Sequence, residues 1–337
     1  MPEANATCLR CFWIPFLLLA TVLFGLVCLL PYGPLRGLLN IREIELSFFA
    51  VTTVLLIEAL AAGWKNSSTY KMIFQFDHSQ SIDLIMFLLH ITGMFTIFVI
   101  VFSFGASSLL GNTSQVLMHY VNTRHLRLDT GYLGFNFVAY YLLYSFIEYW
   151  SHRLFHTGPF WYLHRLHHSA TSLNPLVMHR AHPANLFLNP LTLSLPLIFV
   201  VAPWWSPIAL GGCNTLYQML VHSSVPWTWG WFGKWVLISP AAHRIHHSAN
   251  PLHYGKNLSV LAVWDHAFGT WYNGNLDVEH VGVLDGNYTA GGLFWCCWSD
   301  VRAFRAAAYR RYILRNETAA GVAGRESTHL DNSLRQL

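Results

Sequence analysis

Nine histidines in four clusters carry most of the chemistry this sequence can offer. They are Glu148-Tyr-Trp-Ser-His152-Arg-Leu-Phe-His156, His164-Arg-Leu-His167-His168, the single His222 in Gln218-Met-Leu-Val-His222, and His243-Arg-Ile-His246-His247. Neutral imidazole is the commonest protein metal ligand. One triplet with one pair already exceeds the four ligands of a tetrahedral zinc site, so nine suit two ions. Redox iron takes nitrogen and oxygen ligands with open positions, whereas closed Cys-rich sites suit structural zinc or iron–sulfur clusters. No cysteine lies in these clusters.

The spacing states what must position them. Side chains at i, i+3 and i+4 of a helix share a face. His152 and His156 are therefore expected to converge, with Glu148 one turn further back. His164, His167 and His168 are expected to converge in the same way, and so are His243, His246 and His247. Gly158-Pro159 ends the first helix and restarts the second, and Ser239-Pro240 supplies an N-cap and a first-turn proline for the last. Ionisable residues at the ends of apolar helices are costly and usually functional. His179, His182, His253 and His266 stand singly; 13 of the 19 histidines lie between His152 and His266.

The surrounding chain is unusually apolar. Of its 337 residues 54% are hydrophobic and 11% charged, against about a quarter charged in soluble domains. Segments of about 20 apolar residues can cross a bilayer. Cys11 to Pro31 reads as a retained anchor, being longer than a signal-peptide core. Leu46 to Trp64 contains one acid, Glu58, and Ile82 to Leu110 is long enough to cross with tilt. Tyr132 to Ile147 runs into Glu148, and Leu186 to Pro203 with Ser206 to Val221 reads as a hairpin or two re-entrant segments. The expected fold is all-α: a multi-span membrane protein with a cytosol-facing helical cap holding a His-rich dimetal site. Residues 1–131 read as membrane anchor, 132–275 as the His-rich catalytic unit, and 276–337 as a C-terminal extension whose end, Thr318 to Leu337, looks disordered. The net charge of +4 is too small and scattered for nucleic acid. Arg302, Arg305, Arg310, Arg311 and Arg315 form a local exception, either a solvated helix or a basic helix on an anionic leaflet. The six cysteines form no disulfide framework.

The clusters resemble the fatty acid hydroxylase/sterol desaturase superfamily of integral membrane di-iron oxidases. The resemblance covers about residues 132–272 and includes Arg180-Ala-His-Pro183, Ser239-Pro-Ala-Ala-His-Arg-Ile-His-His-Ser248 and Trp264-Asp-His-Ala-Phe-Gly-Thr270, all in the family's order. Within it, the run from Ser239 to Thr270 looks closest to bacterial-type members and alkylglycerol monooxygenase. The resemblance implies that His152, His156, His164, His167, His168, His222, His243, His246 and His247 hold two iron ions. It also implies that Glu148 and Asp265 accept the free N–H of a ligating imidazole, although Asp265 reads equally as an N-cap or a partner of Arg244. Where some members carry a further histidine, this chain has Gln218, which would bond a ligand or water. An acid often follows the Arg-x-His-Pro segment; here Asn185 stands nearby, so His182 is only a possible additional ligand.

The implied reaction uses O2 to hydroxylate or desaturate a sterol, fatty acyl, sphingoid or ether lipid. Neither a nucleotide fingerprint nor a His-Pro-Gly-Gly haem signature is present, so no haem or flavin is expected in this chain. Electrons are expected from a separate NAD(P)H-fed donor such as cytochrome b5 or a ferredoxin. Zinc could occupy the site in preparations, because it outcompetes ferrous iron at many nitrogen sites. Trp150, Phe155, Phe160, Trp161 and Tyr162 line a channel to the metals or form an interfacial belt. Arg153, Arg165 and Arg244 pair with acids or lipid headgroups. The arginine distribution favours a cytosolic metal face, in the endoplasmic reticulum of a eukaryote or the cytoplasmic membrane of a bacterium. Two other classes compete: a membrane zinc hydrolase, which needs fewer histidines, and a metal-binding or transport protein, which places ligands near the bilayer midplane.

Overall fold

The computed structural model describes residues 41–334, apart from 103–105, 125–126, 203–204 and 286–287. Local sequence sets the helix boundaries. Ser67 accepts from the Tyr70 amide at 3.2 Å to start α2 (Ser68–Phe74), after α1 (Ile41–Ala62). Asp77 and Gln80 form a capping box at α3 (His78–Ile91). Gly93, at φ +71, then breaks the chain before α4 (Met94–Phe102) and α5 (Ala106–Thr123). The expected tilted span from Ile82 to Leu110 is thus divided among three helices, because the αL conformation at Gly93 cannot continue a right-handed helix.

The next helix, α6 (Leu133–Phe155), carries the first histidine cluster at its C-terminal end. A 3-10 segment, Gly158–Leu163, leads to the one-turn α7 (Arg165–His168). Two further 3-10 segments, Pro175–His179 and Pro183–Leu188, precede α8 (Asn189–Phe199), which has Pro196 inside it, and α9 (Ser206–Val221). Short helices α10 (Gly230–Trp235), α11 (Pro240–His246) and α12 (Ala262–Ala267) follow. The last helix, α13, runs from Gly292 to Leu334. The stretch from Thr318 that reads as disordered is therefore helical to Leu334: extending a helix already nucleated by packing costs far less than starting one.

Among the described residues the chain is all-helical, with isolated bridges and no strand. None of these helices is long and apolar enough to cross a membrane, and the segment Cys11 to Pro31 lies outside the described residues. Leu46 to Trp64, within and just beyond α1, contains the fully buried Glu58, which accepts from Ser68 Oγ and the Ser224 amide, both at 2.7 Å. One core joins Ala50, Val51 and Val54 of α1 to Phe87 and Met219. A second seats Cys296, Cys297 and Val301 of α13 on Phe155, Leu163 and Leu166. These two cores clamp the histidine-bearing turns between the N-terminal helices and α13.

Candidate metal centre

The nine histidines converge, but each triplet is divided. His152, His156, His164, His168 and His246 form one group, and His167, His222, His243 and His247 a second; within each, one ring nitrogen per residue lies within 4.8 Å of all the others. Spacing of four residues keeps 152/156, 164/168 and 243/247 together, while the intervening His167 and His246 cross to the opposite group. The rings of each triplet converge as the spacing predicts, 4.9–5.4 Å apart, while their nitrogens divide between the two groups, so each of α7 and α11 feeds both. The two groups interlock through His168 and His247, whose rings stack at 4.4 Å.

Backbone carbonyls aim the rings. His152 Nδ1 donates to the Leu258 carbonyl at 2.6 Å, His222 Nδ1 to that of Gln218 at 2.6 Å, His246 Nδ1 to that of Lys256 at 2.9 Å and His167 Nδ1 to that of Arg180 at 3.2 Å. Each such bond leaves the Nε2 lone pair directed inward. His167 and His222 then face one another Nε2 to Nε2 at 3.3 Å, both as acceptors. Two lone pairs at that separation cannot satisfy each other, and His243 Nε2 lies 3.0 Å from that of His222; a cation among them can satisfy all three. Buried Nε2 atoms of His156, His168, His246 and His247 have no hydrogen-bond partner. Burial, followed by the neighbouring imidazoles, holds the four rings of His164, His168, His243 and His247 well below the ordinary histidine range. Burial likewise lowers His222 to about 4. The rings are thus neutral, as metal ligation requires. On donor type, number and aim, the site fits two cations.

The acids behave differently from expectation. Asp265 touches no histidine and does not pair with Arg244. It accepts from the Leu258 amide at 2.8 Å, the Ser259 amide at 3.0 Å, the Thr270 hydroxyl at 2.6 Å and the Ser259 hydroxyl. It fixes the loop whose Leu258 carbonyl aims His152, because a buried carboxylate gathers nearby amides before it reaches a ring further away. Glu148 is buried with Oε2 unpartnered and makes no hydrogen bond to a histidine among the described residues. It lines the site cavity instead. Burial and then Asp265 push its carboxyl up to about 8.

His182 is not drawn into either group. Its Nε2 bonds the Cys297 carbonyl at 2.9 Å and its Nδ1 accepts from the Ala184 amide at 3.0 Å. Asn185 does approach, at 3.3 Å from His164 Nδ1. Gln218 offers its backbone carbonyl to His222 and lines the cavity. His179 packs against His90 at 5.0 Å, His253 against Tyr272 at 4.7 Å, and His266 stacks on Trp235 at 4.1 Å. Arg165 pairs with Asp300, whereas Arg153 donates to Tyr149 Oη at 2.7 Å and Arg244 to the carbonyls of Ser223 and Val225.

A cavity of about 380 Å³ opens on the groups. Phe155, Met178, Leu210 and Val260 supply apolar wall, and Glu148, Asn214, Thr215 and Gln218 supply polar wall. Ligand pockets run from about 300 to 1,000 Å³. Sequence reasoning missed the carbonyls of Leu258, Lys256 and Arg180, because a backbone acceptor has no residue signature. Arg180 itself is fully buried, bonding Asp83, Ser79, Ser169 and the Leu166 carbonyl. It ties α3 to the turn bearing His167 and His168.

Residues 137–270 match the fatty acid hydroxylase family. Over this stretch the chain is similar to fatty acid hydroxylase domains. The stretch contains all nine histidines, Glu148 and Asp265. The chain is 30% identical over 129 residues to an alkylglycerol monooxygenase of Xenopus tropicalis, covering 38% of this chain and 28% of that protein. It is 33% identical over 135 residues to the Caenorhabditis elegans alkylglycerol monooxygenase, covering 38% and 25%. A Delta(7)-sterol 5(6)-desaturase of Gibberella zeae is 30% identical over 139 residues, covering 41% and 38%. The matched region therefore spans well under half the length of these relatives. No solved structure matches.

Proposed function

We propose that the stretch similar to fatty acid hydroxylase domains makes this chain an O2-dependent lipid oxidoreductase that hydroxylates or desaturates an aliphatic C–H position, with two iron ions held by the two histidine groups. The observation that carries this reading is the convergence of nine neutral histidines, seven buried and two half-buried, on two adjacent points beside a cavity. A zinc hydrolase has no use for so many ligands. Bound iron supplies the O2 chemistry that no side chain can perform. The protein's own part is to place the lipid. Phe155, Met178 and Leu210 hold a chain beside His152 and His164, and Gln218 and Asn214 offer hydrogen bonds to a polar group. Leu258, Arg180, Gln218 and Lys256 keep four rings aimed through their carbonyls.

The same proposal places the chain in a membrane, with residues 1–131 as anchor, 132–275 as catalytic unit and 276–337 as extension. Its histidine face would be cytosolic, and a separate protein would supply electrons. The names of the relatives, one acting on alkylglycerols and one on a sterol, support a lipid substrate. The test is a lipid profile of membranes expressing the wild type beside His167→Ala, grown with iron and an electron donor. An oxygenated or desaturated lipid confined to the wild type is the expected result. Identical profiles, with folded protein in both and several lipid classes supplied, would overturn the reading.

A further inference from the structure

Oxidising a lipid in this way consumes electrons from outside the chain: RH + O2 + 2 e− + 2 H+ gives ROH + H2O. Where that reductant docks is legible in α13. Between Val301 and Leu314 this helix exposes Arg302, Arg305, Arg310 and Arg311, and among the described residues none of them has an ion-pair partner. The helix's one acid in this region, Asp300, is buried on Arg165. Tyr309 and Tyr312, 66% and 62% exposed, stand among the arginines. At about 100° per residue, Arg302, Arg305, Tyr309 and Tyr312 share one outward face. An interfacial membrane helix separates its apolar and basic faces, and this one interleaves them. Arg and Tyr together are instead the residues that dominate protein–protein hot spots.

The opposite face of the same helix leads inward. The Phe304 ring lies 5.5 Å from that of Phe160, Phe160 lies 6.3 Å from Phe155, and Phe155 stacks 5.9 Å from His164. A continuous line of ring contacts thus joins α13, behind its basic face, to the first histidine group.

We propose that the outward face of α13, Arg302 and Arg305 with Tyr309 and Tyr312, docks an acidic one-electron carrier protein, which reduces the metal site by way of Phe304, Phe160 and Phe155. Two successive encounters deliver the two electrons, the carrier losing one at each. This rests on the lipid oxidase reading above and adds to it the partner's chemistry and its place.

The test uses the full chain in detergent, loaded with iron, and the reduced haem domain of cytochrome b5 as an acidic probe. Stopped-flow oxidation of the probe is followed at low and high salt for the wild type, R302E/R305E and the charge-conserving R302K/R305K. The wild-type rate should fall with salt. The reversed variant should be slower by about tenfold or more at low salt and nearly insensitive to salt. The lysine variant should retain most of the rate, and dithionite should reduce all three equally at equal iron content. A reversed variant that oxidises the probe at the wild-type rate at every salt concentration would overturn the proposal. If that variant also loses binding to phosphatidylserine vesicles, the face belongs to lipid instead. Iron that dithionite cannot cycle in the wild type would refute the oxidase reading itself, and this inference with it.

Discussion

Removing the Asp265 carboxylate tests whether the metal centre depends on a residue that touches none of its ligands. Asp265 is fully buried and accepts four hydrogen bonds, two from the amides of Leu258 and Ser259 and two from hydroxyls. In Asp265→Ala the hydroxyls keep other partners, Ser259 Oγ at the Leu261 carbonyl and Thr270 Oγ1 at Tyr149 Oη. The two amides have nowhere else to turn. A buried unsatisfied donor costs roughly 1–3 kcal/mol, so the variant should lose about 2–6 kcal/mol of stability. The loop would also release the Leu258 carbonyl that holds His152 Nδ1 at 2.6 Å. Loss of such outer support typically weakens metal binding by about 10–100-fold. Asp265→Asn keeps one acceptor oxygen and should lose about half as much stability. Thermal unfolding in detergent reads the first quantity, and chelator competition with zinc or ferrous iron the second. Wild-type melting and wild-type metal affinity in Asp265→Ala would refute the argument that this carboxylate positions His152 through the backbone.

The division of the triplets predicts that His156→Ala and His247→Ala each lower metal content by about one ion per chain, measured by plasma mass spectrometry, while the double variant loses both. Were each triplet a separate site, His164→Ala and His168→Ala would instead lower the content that His167→Ala lowers. Arg180→Met leaves Asp83 buried without its partner and should cost roughly 3–5 kcal/mol, seen as a lower melting temperature. Replacing Asp83 and Arg180 together by apolar residues should recover part of that loss. His182 gives a pH signature that does not involve metal. Burial lowers it from the ordinary 6.5 to about 4. The unfolded chain binds its proton first as pH falls, so its stabilising contribution is present above pH 6.5 and declines toward pH 4. Apo protein should melt progressively lower over that window, and His182→Gln should lessen the slope by one group's share, the clustered histidines supplying the rest.

Much of the centre was legible in the spacing of residues. The i, i+4 pairs 152/156, 164/168 and 243/247 each stay together because helix geometry alone brings them onto one face. The N-cap at Ser239, the break at Gly158-Pro159 and the all-helical character follow from equally local rules. What local rules cannot state is which group the third member of each triplet joins. That choice belongs to the packing of α7 and α11 between α6 and α9, which sends His167 to His222 and His246 to His152. The carbonyls of Leu258, Lys256 and Arg180 were invisible for the same reason, since every residue has one and only the fold aims it. Asp265 was found by its motif but assigned the wrong contact, because sequence distance does not reveal which donor a buried carboxylate reaches first. Residue type and spacing thus determined the candidate ligands and their number, while long-range packing decided how they divide into two groups and what holds them there.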